Sequence, residues 1–240
     1  MNIIIKENYD EMSKVAADLI SEYVALNPDS LLCFPSGTTP LGTMNGLINN
    51  AKAGKVNFDN CRFVGLDEWV GMTEADEGSC KHFIYNEFFK PLKIDESRIC
   101  FFDACAEDLE AECKRIDDFI LSNGRIGLIL VGMGMNGHIG LNEPGTSFDL
   151  YSHVVKLDTV TEKVAQKYFH KPTELSGGIT LGLKHLMEAE MAVLIVNGSH
   201  KADILKKVLE GDVTDKLPAS ILKLHDNSCI IIDKEAAKLL

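Results

Sequence analysis

Three short stretches hold residues whose types and spacing could do chemistry. The richest runs from residue 128 to residue 149, LILVGMGMNGHIGLNEPGTSFD, where Gly132, Gly134 and Gly137 allow tight backbone turns and bring Asn136, His138, Asn142 and Glu143 together without helical regularity. His138 can exchange a proton near neutral pH, and Glu143, five residues on, can orient or charge-stabilise the imidazole. In FVGLDEWVG an acidic pair interrupts an apolar run. A carboxylate at a strand end in a partly dry cleft suits a general base, so Asp67 is expected to face a crevice, with Glu68 turned to solvent or paired with a cation. In PSGTTP, small and hydroxylated residues separate a strand from a helix. Free backbone N–H groups with the hydroxyls of Ser36, Thr38 and Thr39 suit a phosphate there. The same residues also fit an ordinary capped turn, with Thr39 as N-cap and Pro40 at the first helical position.

These stretches need elements to hold them. Apolar, β-branched runs at 2–5, 31–34, 62–66, 98–101, 126–132, 153–157, 191–196 and 229–232 read as strands. Met12, Val15, Ala16, Leu19, Ile20 and Tyr23 recur at helical spacing and mark a first helix that Asn27-Pro28 ends. Further helices are expected near 39–53, 79–89, 105–122, 160–169, 199–210 and 234–239. Strands alternating with helices from end to end, with no repeat or linker, predict one α/β domain over residues 1–240: a single doubly wound, mostly parallel, Rossmann-like sheet with helices on both faces. In such a sheet the ligand crevice lies beyond the carboxyl ends of the strands, and all three stretches directly follow strands. They should meet on one rim.

Composition narrows the partners. A net charge of −12 opposes nonspecific binding to nucleic acid or an acidic membrane, because Lys and Arg attraction to phosphate dominates both. An anionic ligand must instead find local positive potential at helix N-termini and a few lysines. The seven cysteines are odd in number and scattered, without CxxC spacing or Cys/His clusters, and read as reduced thiols with no metal role. The N-terminal apolar run is too short for a signal peptide or a membrane span, which leads to the expectation of a cytoplasmic protein. Gly132, Gly134 and Gly137 also satisfy GxGxxG, with Asp158 about twenty residues on, as a dinucleotide site asks. That fingerprint needs a helix opening at its third glycine, and Gly140, Asn142, Pro144 and Gly145 would break one.

Together the segments PSGTTP, FVGLDEWVG, VGMGMNGHIGLNEPG, GGITLGLKHL, NGSHKADILKKVLEG and LPASILKLH resemble the glucosamine-6-phosphate deaminase family, in order and spacing, over nearly the whole chain. Within it the chain looks closest to the galactosamine-6-phosphate isomerase/deaminase branch; the wider superfamily also contains 6-phosphogluconolactonases. The resemblance implies that Ser36, Gly37, Thr38 and Thr39 hold a sugar phosphate and that Lys201 reaches it from a later helix. Lys167 takes the place of a phosphate-contacting Arg of glucosamine-type members, as a point charge without the bidentate fork. His138, supported by Glu143, would assist ring opening, and Asp67 would move the C2 proton to C1 before water releases ammonia, with no cofactor or metal.

Glucosamine-type deaminases carry Asp at the position of Asn136, whereas members resembling galactosamine-6-phosphate enzymes show Asn-Gly-His. The amide cannot carry charge, which leaves Glu143 as the ionised partner of His138. The expected substrate is therefore an amino-sugar 6-phosphate, galactosamine 6-phosphate ahead of glucosamine 6-phosphate. A 6-phosphogluconolactonase and a non-catalytic sugar-phosphate-binding protein stand as alternatives, and a homo-oligomer is left open. Allosterically activated deaminases place basic residues where this chain has Tyr151, Ser152, His153, Val154 and Val155, so no such second site is expected.

Overall fold

Apart from the exposed edge strand at residues 2–6, the strands of the central sheet are buried on both faces, and successive residues are sorted between two apolar layers. The computed structural model describes residues 1–240. Its main sheet has seven strands: β1 (Asn2–Lys6), β2 (Leu31–Phe34), β3 (Arg62–Gly65), β5 (Ile99–Cys100), β6 (Leu128–Val131), β9 (Met191–Val196) and β10 (Ser228–Asp233). They lie in the order β1-β10-β9-β6-β2-β3-β5, with every pairing parallel. On β6, Leu128 and Leu130 face one layer while Ile129 and Val131 face the other; Cys229 and Ile231 alternate with Ile230 and Ile232 on β10 in the same way. A parallel sheet needs this double burial because its crossover helices cover both faces.

The first layer is covered by α1 (Tyr9–Leu26), α2 (Thr38–Lys52) and α3 (Cys80–Ile84), the last continuing through a π turn at Tyr85–Phe89 into α4 (Lys90–Leu92). Phe34, Phe58, Phe63, Phe88 and Phe89 pack there edge to face. The second layer is covered by α5 (Leu109–Ser122), α7 (Leu183–Glu188) and α8 (Ala202–Glu210). The expected α/β architecture, mostly parallel with helices on both sides, is what forms.

Several expectations need correction. The 153–157 strand does not join the main sheet: β7 (His153–Val155), β8 (Gly178–Thr180) and β4 (Asp67–Trp69) make a separate antiparallel sheet in the order β4-β8-β7. Residues 234–239 form turns, because the Asp233 carboxylate accepts from both Ala236 N–H (2.7 Å) and Gly198 N–H (3.0 Å) and holds the chain in a tight bend. Helix α5 begins only after Asp108, whose side chain caps it through Ala111 N–H at 3.0 Å. The short α7 and the 3₁₀ turn at Pro218–Leu224 lack a long apolar period and went unforeseen.

The small sheet ties the polar loops to the main one. After β3 the chain leaves the parallel sheet at Leu66, whose carbonyl accepts from Leu181 N–H (2.8 Å) and from the Thr180 hydroxyl (3.3 Å). Thr180 pairs with Asp67 across β4 and β8, and its hydroxyl accepts from Leu141 N–H (3.2 Å) in the loop after β6. One buried threonine thus joins the two stretches richest in polar chemistry. Thr180→Val keeps the shape but leaves Leu141 N–H unpaired, and a loss of about 1–3 kcal/mol in urea unfolding is expected; unchanged stability would contradict this strut.

Candidate active site

Beyond the carboxyl ends of β2, β6 and β9 lies a cavity of ≈ 200 Å³. Eight of the residues singled out from sequence line it: Ser36, Gly37, Thr38, Thr39, Asp67, His138, Lys167 and Lys201. Asn136 and Glu143 do not; they stand behind His138.

The phosphate-type loop differs from a capped turn. Helix α2 starts at Thr38 with Gly37 as its N-cap, and no side chain satisfies the first N–H groups. Thr39 is not the N-cap: its hydroxyl contacts Asn197 Oδ1 at 2.7 Å, tying α2 to the end of β9. Gly37 has φ +112°, which favours glycine, and a Cβ there would sit a tight 3.1 Å from the Tyr168 hydroxyl. The open N-terminus keeps its donors and its partial positive charge for an anion.

Two lysines face the same end of the cavity. Lys201 is partly buried and donates to the Met133 carbonyl; burial, then the nearby Lys167 charge, lowers it to about 8. Lys167 is also lowered by burial, and its ammonium lies 4.8 Å from the centre of the Tyr168 ring. Two cations that repel each other beside a helix N-terminus are stabilised by a dianion between them.

Asp67, also lining the cavity, is 8% exposed. Burial raises its carboxyl to about 7, opposed by the Cys80 thiol and assisted by the charge of Glu68. Glu68 neither faces solvent nor meets a cation. It is 1% exposed and accepts four bonds: from Ser79 hydroxyl (2.7 Å), Lys81 N–H (2.8 Å), Trp69 N–H (2.9 Å) and Cys80 N–H (3.0 Å). Three of these donors lie at the start of α3, where the helix dipole favours a carboxylate. Nothing local in DEW announces them, since they arrive from ten residues further on.

His138 presents Nδ1 to Glu143 Oε2 at 3.4 Å and to the Thr161 hydroxyl at 3.1 Å. Glu143 also accepts from Asn136 Nδ2 (2.8 Å) and from Asp158 N–H (3.2 Å). Burial raises its carboxyl, yet His138, Thr161 and Asn136 outweigh that and bring it down to about 2. Asn136 therefore serves as a donor to the carboxylate, a role open to an amide and closed to an ionised Asp. Asn142 braces the loop, donating to the Ile139 and Leu181 carbonyls. No helix opens at Gly137, and Asp158 caps α6 (Thr159–Ala165), so the dinucleotide pattern has no structural counterpart.

Sequence reasoning missed Thr161, Tyr168, Asn197 and His200, which sit on or beside the cavity. The only available signal was their nearness in sequence to Lys167 and Lys201. No group of three or more His, Cys, Asp and Glu gathers in a metal-binding arrangement, and no helix is long and apolar enough to cross a membrane.

Comparison with known proteins shows the family. Residues 6–231 match the family described as glucosamine-6-phosphate isomerases/6-phosphogluconolactonase. The chain belongs to this family. A glucosamine-6-phosphate deaminase of Clostridium acetobutylicum is 38% identical over 241 residues, covering 100% of both chains. A solved structure of a monomeric glucosamine-6-phosphate deaminase superposes with a TM-score of 0.97 at 34% identity, again over 100% of both. A 6-phosphogluconolactonase from Leishmania guyanensis shares the fold, with a TM-score of 0.77 at 19% identity over 99% of this chain and 97% of that one.

Two of the buried carboxylates of this family member, Asp67 and Glu143, carry opposite linkage to pH. The raised Asp67 costs stability as pH climbs from its ordinary 3.8 through about 7, while the lowered Glu143 adds stability above its ordinary 4.5 that is lost as pH falls toward about 2. Asp67→Asn is thus expected to melt several degrees above the parent at about pH 8, the gain vanishing in acid. Glu143→Gln should melt lower at neutral pH, with the gap closing in acid. Parallel pH dependences in the two variants would contradict the assignment.

Proposed function

We propose that the protein deaminates and isomerises glucosamine 6-phosphate to fructose 6-phosphate and ammonia, acting as one domain and as a monomer. The observation that carries this reading is one cavity lined both by an open helix N-terminus with two lysines and by two groups able to exchange protons, Asp67, raised by burial to about 7, and His138. The full-length relative named for glucosamine 6-phosphate supports the gluco sugar over the galacto sugar expected from Asn136. Asn136 also contacts Glu143 and does not line the cavity, so it is badly placed to sense the configuration at C4. The solved relative at 34% identity is called monomeric, and all the groups invoked here come from one chain.

The phosphate would rest on the α2 N-terminus, the hydroxyls of Ser36 and Thr38, Lys167 and Lys201. Anchoring there fixes the reacting carbons and directs binding energy to the transition state. With Nδ1 turned to Glu143, His138 presents Nε2 to the sugar; it takes the anomeric hydroxyl proton and returns one to the ring oxygen, opening the pyranose. Asp67, ionised, removes the proton on C2 to give an enolamine and delivers the proton to C1. The resulting 2-imine adds water and expels ammonia. Atoms balance with water as the only co-substrate.

Ammonia release is expected from glucosamine 6-phosphate, with lower kcat/KM on galactosamine 6-phosphate and no hydrolysis of 6-phosphogluconolactone. Lys201→Ala should raise KM by about tenfold or more with a smaller change in kcat. Lactone hydrolysis without deamination would overturn the reading, as would tight sugar-phosphate binding without turnover.

A further inference from the structure

The short segment that brings Lys167 and Tyr168 to the cavity also reaches His138. Helix α6 and the 3₁₀ turn that extends it, Gln166–Tyr168, form one continuous element. Its residues Val160, Val164, Lys167 and Tyr168 line the cavity, and so does Thr161, which is 5% exposed. The Thr161 hydroxyl lies 3.1 Å from His138 Nδ1 and helps to lower the Glu143 carboxyl. At the start of the same helix Asp158 N–H donates to the other oxygen of Glu143 at 3.2 Å.

Ionised Glu143 accepts only, so the ring nitrogen beside it, Nδ1, carries the proton, and a Thr161 lone pair accepts it too. That proton faces Thr161 at 3.1 Å and Glu143 at the longer 3.4 Å. With Nδ1 protonated, the Nε2 lone pair is the free one. The hydroxyl supplies the closer of the two contacts to the ring.

Resting on the deaminase reading above, we propose that Thr161 is a positioning residue: its hydroxyl holds His138 Nδ1 and makes the orientation of the imidazole depend on how α6 is seated. Lys167 stands six residues further along the same element, so a phosphate that draws Lys167 inward also presses Thr161 against the ring. A sugar lacking the phosphate leaves α6 unanchored and the imidazole less firmly held. Thr161 touches no reacting atom; it acts through His138.

The test compares Thr161→Val, which keeps the shape and removes the hydroxyl, with Thr161→Ser, which keeps the hydroxyl. Val is expected to lower kcat for ammonia release by about tenfold with KM changed less than about twofold, and Ser to restore most of the loss. Thr161→Ala removes the same hydroxyl without apolar bulk and should show the same split should the Val variant fold poorly. A second measurement needs no turnover: in the substrate-free protein, the proton resonance of His138 Nδ1–H should exchange with water about tenfold faster in the Val variant than in the parent or the Ser variant. Parent-like kcat and exchange in Thr161→Val would overturn the proposal. A parent protein that releases no ammonia would sink the deaminase reading alone, and the exchange measurement would still decide the role of Thr161.

Discussion

Two adjacent carboxylates buried where the chain leaves the main sheet set the conditions for the rest of the site. Isolated, such a pair would neutralise itself by taking up protons, since burial and mutual repulsion both disfavour the anions. Here the cost is divided unequally. Glu68 receives four hydrogen bonds, three of them from the first residues of the α3 region, whereas Asp67 is left with the Cys80 thiol and an open cavity. Burial raises both carboxyls, Glu68 in spite of its four hydrogen bonds, but only Asp67 faces the cavity. The same interaction fixes α3, whose Cys80 forms part of the cavity wall, so the placement of the base and the shape of its surroundings have one origin.

The opposite side of the cavity is organised by the reverse logic. Glu143 is buried too, yet a histidine, an amide, a hydroxyl and a backbone N–H surround it, and it stays ionised far below the usual carboxylate range. Asp67 and His138, which Glu143 supports, both line the cavity, and the proposed reaction asks one to move a carbon-bound proton and the other to exchange protons at the ring. The proposed phosphate site at the α2 N-terminus is the third part, and it needs no net positive charge on the protein: two lysines and unpaired helix N–H groups offer local positive potential against a global charge of −12.

Much of this was legible in the sequence. Strand-end positions, glycine spacing and a hydroxyl-rich turn pointed to Asp67, His138 and Ser36–Thr39, because a parallel sheet forces residues that follow its strands onto one rim. What could not be read were contacts whose partners come from afar. Glu68 looked like a surface acid until Ser79, Cys80 and Lys81 were seen to reach it. Thr161 looked like an ordinary helical residue until α6 was seen to lie against His138. The three-residue strands β4, β7 and β8 are too short to carry a period, so the second sheet escaped the pattern that revealed the first. Asn136 reads in the sequence as a mark of substrate type, while its observed contact is with Glu143, behind the histidine.

The most direct test is the pH dependence of kcat/KM for ammonia release from glucosamine 6-phosphate in the parent protein and in Asp67→Asn. A base that is protonated in acid and competent when ionised predicts an acid limb centred at about 7 in the parent, with activity rising as pH climbs through it. The Asn variant should lose that limb together with nearly all turnover. A parent limb centred in the ordinary carboxylate range, or an Asn variant of undiminished rate, would contradict the claim that burial beside Glu68 makes Asp67 the base.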